Sequence, residues 1–181
     1  IRILDHSGFF EVTSLSQDDK ARNDMYKANI ERKKQEESFG DYQEFLKSLC
    51  MTGLIKPFEP IYMARIAQLT NKSNQFNLTT RRYTQAELEQ ISQNDQYITL
   101  YGKLDDKFGD NGVVSVVIGC KKENTLHMDL WLMSCRVLKR DMEFAMMDTL
   151  VQTCKRAGIS RIKGYYFPTA KNKMVEHFYE L

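Results

Sequence analysis

The sequence predicts an α+β domain, a mixed and mostly antiparallel sheet flanked by helices and preceded by an N-terminal helical segment. Three observations carry that expectation. Apolar runs at 97–104, 113–120 and 125–135 are separated by short polar turns, as in a meander of strands. From Asp141 to Ala157 the apolar residues recur at helical spacing, and a further apolar run and a further helical pattern follow. Upstream, Ser16 to Ser38 is dense in charge, and its apolar positions Met25, Tyr26, Ala28 and Ile30 are sparse, which suits a long solvated helix.

Taken in order, Ser16 with Asp19 three places on reads as an N-cap with an acidic first turn, Phe9 and Phe10 lying just before it. Gly40 ends that element. Tyr42, Phe45, Leu46 and Leu49 then fall at helical spacing, and Gly53 to Pro60 punctuates the chain. A boundary is placed there, with a helical linker at 1–56 and the main domain at 57–181. Ile66, Ala67 and Leu69 suggest a short helix within Ile61 to Asn71. Thr84 and Glu87 form a capping box, so a second helix opens there and ends before Asn94. Tyr97 to Leu104 alternates as a half-buried strand, Gly109 to Gly112 reads as its hairpin turn, and Val113 to Cys120 is apolar on both faces, as a central strand must be. Lys121 to Asn124 makes the next turn and Thr125 to Cys135 the third strand. The helix from Asp141 ends at Gly158, Ile159 to Phe167 forms a fourth strand, and Thr169 caps a last helix with Met174, Val175, Phe178 and Leu181 on its apolar side.

The 181 residues are 42% hydrophobic and 28% charged, a balance that argues against disorder and against a collagen-like chain. No apolar window approaches the roughly 20 residues that cross a bilayer. Twenty-six basic residues against 24 acidic ones leave a net charge of +2, too even to predict nucleic-acid binding. The basic residues of the N-terminal stretch, Lys20 to Lys34, are interleaved with acids and read as a solvated helix face. Cys50, Cys120, Cys135 and Cys154 show neither C-x-x-C pairing nor His at metal-ligand spacing, so reduced thiols in the cytoplasm and no metal site are expected. The opening residues Ile1 to Asp5 lack a charged leader with an apolar run, and the chain reads as the C-terminal piece of a longer protein.

Two stretches go beyond generic pattern, QLTNKSNQFNLTTRRYT at 68–84 and LWLMSCRVL at 130–138, joined by KFGDNG at 107–112 and PTAKN at 168–172. They resemble the C-terminal half of FkbH-like proteins, in which a HAD-type phosphatase-like domain precedes a domain similar to the GNAT acyltransferases. The resemblance implies transfer of a glyceryl unit to the phosphopantetheine thiol of an acyl carrier protein, feeding methoxymalonyl-type extender synthesis in polyketide pathways. It implies two partners, the carrier protein and a HAD-type domain of the same polypeptide. The HAD nucleophile motif, two aspartates flanking an apolar residue before a Thr, is absent from this chain, so its phosphatase chemistry lies elsewhere.

In a GNAT-like fold, pantetheine lies beside the strand matching Thr125 to Cys135, and the pyrophosphate of CoA meets the N-terminus of the next helix. The turn between them usually runs Arg or Gln, two residues, Gly, one residue, then Gly or Ala. Here Arg136 holds the first position, but Lys139 and Asp141 hold the glycine positions. Ser134, Arg136, Lys139, Arg140 and Asn172 are the expected cofactor-binding residues, for carrier-bound phosphopantetheine or for acyl-CoA. Lys139 and Arg140 attract phosphate, whereas Asp141 either opposes it or simply caps the helix. Cys135 is a candidate nucleophile activated by Arg136 and the helix N-terminus, or else a buried inert thiol beside Met133. Tyr179 is a candidate general acid for the leaving thiolate, or else a core aromatic. Lys72, Asn74, Gln75, Asn77, Thr79, Thr80, Arg81 and Arg82 crowd around Phe76. They suit a polar or phosphorylated substrate, or else they satisfy their own backbone through Asx-type turns.

Overall fold

The computed structural model describes residues 22–180. The chain divides into two compact units between Phe45 and Leu46. In the first, helix α1 runs Arg22–Glu37; the proposed cap at Ser16 and the Phe9–Phe10 anchor lie outside the described residues. Helix α2, Tyr42–Ser48, starts where the Asp41 carboxylate accepts from the amides of Gln43 (2.6 Å) and Glu44 (3.0 Å).

The second unit begins its sheet earlier than the sequence suggests. Thr52–Lys56, read as punctuation, forms strand β1 at the sheet edge. A 3₁₀ turn at Pro60–Tyr62 leads into α3, Met63–Lys72, and the two-residue strand β2, Phe76–Asn77, precedes α4, Gln85–Ser92. The capping box forms as expected, with the Thr84 amide donating to Glu87 at 2.7 Å and the Glu87 amide to the Thr84 hydroxyl at 3.3 Å. Strands β3 (Tyr97–Asp106), β4 (Gly109–Lys122) and β5 (Thr125–Met133) form the meander, followed by α5 (Met142–Arg156) and β6 (Arg161–Lys163). Among the described residues the sheet order is β1-β3-β4-β5-β2, and β6 pairs with β5 in parallel. The central position expected for Val113 to Cys120 is therefore occupied by β4.

Three local expectations need correction. The β3–β4 turn sits at Lys107–Phe108, and Gly109 to Gly112 belongs to β4; register shifts absorb the extra residues, with Gly112 at φ +68. The fourth strand is only Arg161–Lys163, because the chain then leaves β5. In place of a continuous last helix there are 3₁₀ turns at Lys173–Val175 and Phe178–Glu180, and Thr169 donates its amide to Asn172 (2.7 Å) rather than capping a helix.

The sheet is covered on both faces. One core joins Leu126, Met128, Trp131 and Met133 of β5 to Met142, Met146, Leu150 and Cys154 of α5. The other joins Leu130 and Leu132 to Met63, Ile66 and Leu69 of α3 and Leu88 of α4. Leu126 and Met128 can share a face with Trp131 and Met133 only if the two-residue alternation breaks between them. A register shift opposite Ile118 and Gly119 does this, leaving Asp129 as the unpaired residue of a β-bulge. Helix α5 closes at Gly158, where the Ile159 amide donates to the Cys154 carbonyl at 2.9 Å.

Candidate functional site

The site is a fork in the sheet. Strands β5 and β6 pair from Thr125↔Arg161 to His127↔Lys163 and then part, just before the bulge at Asp129. Beyond the fork β5 runs into a loop at 134–141 that leads to α5.

That loop keeps a conformation its side chains do not favour. Lys139 and Asp141 have φ of 63° and 60°, the left-handed region, so the two positions where GNAT-like turns carry small residues have the backbone of glycine without being glycine. Holding L-residues there costs on the order of 1 kcal/mol each. An anchor is visible between them. Arg140 pairs with Asp106 at 3.1 Å, and the Asp106 carboxylate, fully buried, also accepts from Asn111 (3.3 Å) and the Phe108 amide (2.9 Å). The β3–β4 hairpin thus holds the loop through Arg140, whose charge is already spent on Asp106.

The helix N-terminus is acidic. Asp141 holds the N-cap position, as expected of a capping residue, but its side chain makes no capping bond. Glu143, in the first turn, has a buried carboxylate oxygen without a partner; burial raises its pKa, its own backbone amide opposes the shift, and Asp141 adds to it. Two carboxylates therefore stand where a pyrophosphate would seek positive potential. Ser134 is buried and accepts from the Arg136 amide at 3.4 Å, Arg136 is half-buried, and Lys139 is exposed. Cys135 opens a 3₁₀ turn one residue past Ser134 and is exposed, so the reading of it as a buried thiol does not hold.

The outer edge of β5 above the fork is taken by the chain itself. Phe76 and Asn77 pair with Met133 and Leu132, and the Leu78 amide donates to Trp131 at 3.0 Å. The Thr79 hydroxyl donates to the Asp129 carbonyl at 2.7 Å, and the Phe167 amide closes onto Leu78 at 2.8 Å. Asn172 locks this insert. Completely buried, it donates to the carbonyls of Asn77 (2.9 Å) and Phe167 (3.0 Å), and its oxygen accepts from the amide and hydroxyl of Thr169. The expected contact of Asn172 with pantetheine is replaced by these bonds within the protein.

The polar 72–82 segment divides in the same way. Asn77 bonds Ser73 (3.3 Å) and Thr80 (2.9 Å), and Arg82 bonds the carbonyls of Thr70 and Ser73 and the side chain of Asn74. Asn74, Asn77, Thr80 and Arg82 thus serve the segment's own backbone, its neighbour Thr70 or each other, as the turn reading has it, while Thr79 fastens the segment to β5. Lys72 and Gln75 are exposed. Arg81 differs. It is 54% exposed and pairs with Asp129 at the bulge, where Tyr83 also donates to the same carboxylate. Burial, reinforced by that bond to Asp129, raises the Tyr83 pKa. Asp129 is legible in the sequence as a possible partner for the arginines of this segment, and Arg81 takes it; Tyr83 is the site residue that pattern reading leaves out.

Tyr179 lies with its ring against Gly164, where a Cβ would fall about 2.5 Å from the ring. Its hydroxyl is buried, and that burial raises its pKa against an opposing contact with the Tyr165 backbone. Phe178 beside it packs edge-on against Trp131 at 4.9 Å and Phe76 at 5.2 Å. The core-aromatic reading of Tyr179 matches this placement. His127 does not approach Cys135; its Nδ1 lies 2.6 Å from the Tyr165 hydroxyl. Among the described residues no group of His, Cys, Asp and Glu could hold a metal, and no helix is long and apolar enough to cross a membrane.

The chain matches no family model and no curated protein. Its fold does match solved structures. A ribosomal-protein-alanine N-acetyltransferase from Brucella melitensis biovar Abortus 2308 superposes with a TM-score of 0.55 at 14% identity, covering 71% of this chain and 89% of that one. A GNAT-family acetyltransferase from Streptococcus pneumoniae gives 0.52 at 16% identity over 71% and 82%. AAC(6')-Iy bound to the bisubstrate analogue CoA-S-monomethyl-acetylneamine gives 0.54 at 9% identity over 71% and 88%. The fold is that of the GNAT acetyltransferases.

Proposed function

We propose that this domain performs acyl transfer at the phosphopantetheine thiol of an acyl carrier protein, rather than with free acyl-CoA. The GNAT fold supports acyl transfer in general. The acidic helix N-terminus supports the choice of donor: Asp141 and Glu143 oppose a pyrophosphate more than the single phosphate of a carrier-bound arm. The left-handed backbone at Lys139 and Asp141, the conformation a glycine would hold there, supports a phosphate contact at this loop. The exposure of Cys135 within the same loop supports a role as acyl acceptor. The finer reading is glyceryl transfer in partnership with a HAD-type domain, as in FkbH-like proteins, and it rests on the sequence resemblance.

A second reading has its own observation. Strand β2 covers the β5 edge along which pantetheine would lie, and this supports a carrier-binding module without catalysis. Calorimetric titration with CoA, acetyl-CoA and a carrier protein bearing an acetylated arm tests both. The proposal expects binding of the loaded carrier at least tenfold tighter than CoA, followed by loss of its thioester. Binding without turnover selects the docking module, and CoA binding as tightly as the carrier overturns the choice of donor.

A further inference from the structure

The root of the fork carries a polar group that the loop and Cys135 do not use. His127 and Tyr165 meet there through the 2.6 Å contact of Nδ1 with the phenol, their rings nearly parallel at 6.0 Å. Both are half-buried and so remain open to a reactant. His127 is on the last rung before β5 and β6 part, and Asp129, the bulge residue, is two positions on. Across β4, Cys120 stands opposite His127, and Tyr97 of β3 stands opposite Cys120. From β6, the Lys163 ammonium lies over the Tyr165 ring at 5.5 Å, a contact that keeps positive charge beside the phenol oxygen. Arg81 and Tyr83, from the segment over the bulge, complete the titratable groups around Asp129.

We propose that His127 and Tyr165 are the proton-handling pair of this domain, a role for which Tyr179 is unsuited because its hydroxyl is sealed from any reactant. The proposal rests on the acyl-transfer reading. In the step, the acceptor's N, O or S atom bonds to the thioester carbon, and the carbon–sulfur bond breaks. The acceptor's proton passes to the Tyr165 oxygen while Tyr165 gives its own to His127 Nδ1. Return of that proton along the same path neutralises the leaving thiolate, so no other reactant is needed.

The test follows thioester loss from the acetylated carrier protein with the full chain and a small primary amine as the acceptor, beside thermal melting of each variant. Tyr165→Phe and His127→Ala each lower the rate by about 100-fold or more, and the double variant is no worse than the singles. His127→Gln, which can still hydrogen-bond Tyr165 but cannot take its proton, stays equally slow. Rates within about threefold of wild type in Tyr165→Phe, or recovery in His127→Gln, overturn the pair and leave acyl transfer standing. A wild-type chain that binds the loaded carrier without consuming its thioester overturns the acyl-transfer reading and the pair with it.

Discussion

The left-handed loop before α5 yields the sharpest prediction, because strain and charge can be separated at one residue. Asp141 sits at φ 60° with no side-chain cap. Asp141→Gly removes both the Cβ strain and the negative charge; Asp141→Ala removes the charge and keeps the Cβ. An L-residue in this region costs about 1–2 kcal/mol, and glycine returns roughly 0.5–1 kcal/mol of that through the freer unfolded chain. Asp tolerates the conformation better than Ala, so Asp141→Ala should melt below wild type and Asp141→Gly at or above it. A full charge about 5 Å from a bound phosphate is worth roughly 1–3 kcal/mol between water-like and protein-like screening. Both substitutions should therefore tighten CoA by about tenfold in calorimetric titration at low salt, and the gain should shrink as salt is added. Equal melting temperatures for the Ala and Gly variants would refute the left-handed assignment. Unchanged CoA affinity in both would refute the claim that acids at this helix end are what disfavour a pyrophosphate.

Three other outcomes follow from the same structure. Asn172→Ala strands five bonded groups at once and should cost about 2–4 kcal/mol in denaturant unfolding, with faster hydrogen exchange at the Leu78 amide as β2 loosens. Asp106→Ala leaves Arg140 buried without its carboxylate and should cost about 3–5 kcal/mol, part of which returns in the Asp106→Ala/Arg140→Met double variant. Glu143 has a pKa raised by burial, so the folded state holds its proton more tightly than the unfolded state, and stability falls as pH rises from the ordinary Glu pKa through the raised one. Glu143→Gln should then melt higher than wild type at neutral pH, with the difference vanishing once the pH is below the ordinary carboxylate range.

The elements that sequence pattern makes legible are those whose residues face one environment throughout. The Thr84–Glu87 box, the apolar β4 and the amphipathic α5 each state their own structure locally. Misreadings cluster where the local signal is ambiguous and a distant partner decides. Gly53 looks like punctuation because glycine weakens strands, yet an edge strand needs only one partner, and β3 supplies it. Gly109 to Gly112 looks like a hairpin turn because its residues tolerate positive φ, and a bulge in β4 uses the same tolerance. Ile159 to Phe167 is apolar enough for a long strand, but Gly164 yields its face to the Tyr179 ring, and pairing stops at Lys163.

The 72–82 segment carries the same lesson into function. A run of amides, hydroxyls and guanidinium groups says that many hydrogen bonds are needed nearby; it does not say whether a ligand or the protein makes them. Here β2 is only two residues long, too short to be held by its own pairing, so Asn172, Arg82 and Thr79 must fasten it by side-chain bonds. That fastening accounts for most of the polar density. What it leaves over is Arg81, exposed beside a half-buried carboxylate at the point where the sheet forks. The outer edge of β5 is therefore held closed twice over, by the side-chain bonds that Asn172 makes and by Phe76 and Leu78 buried in the core beneath it.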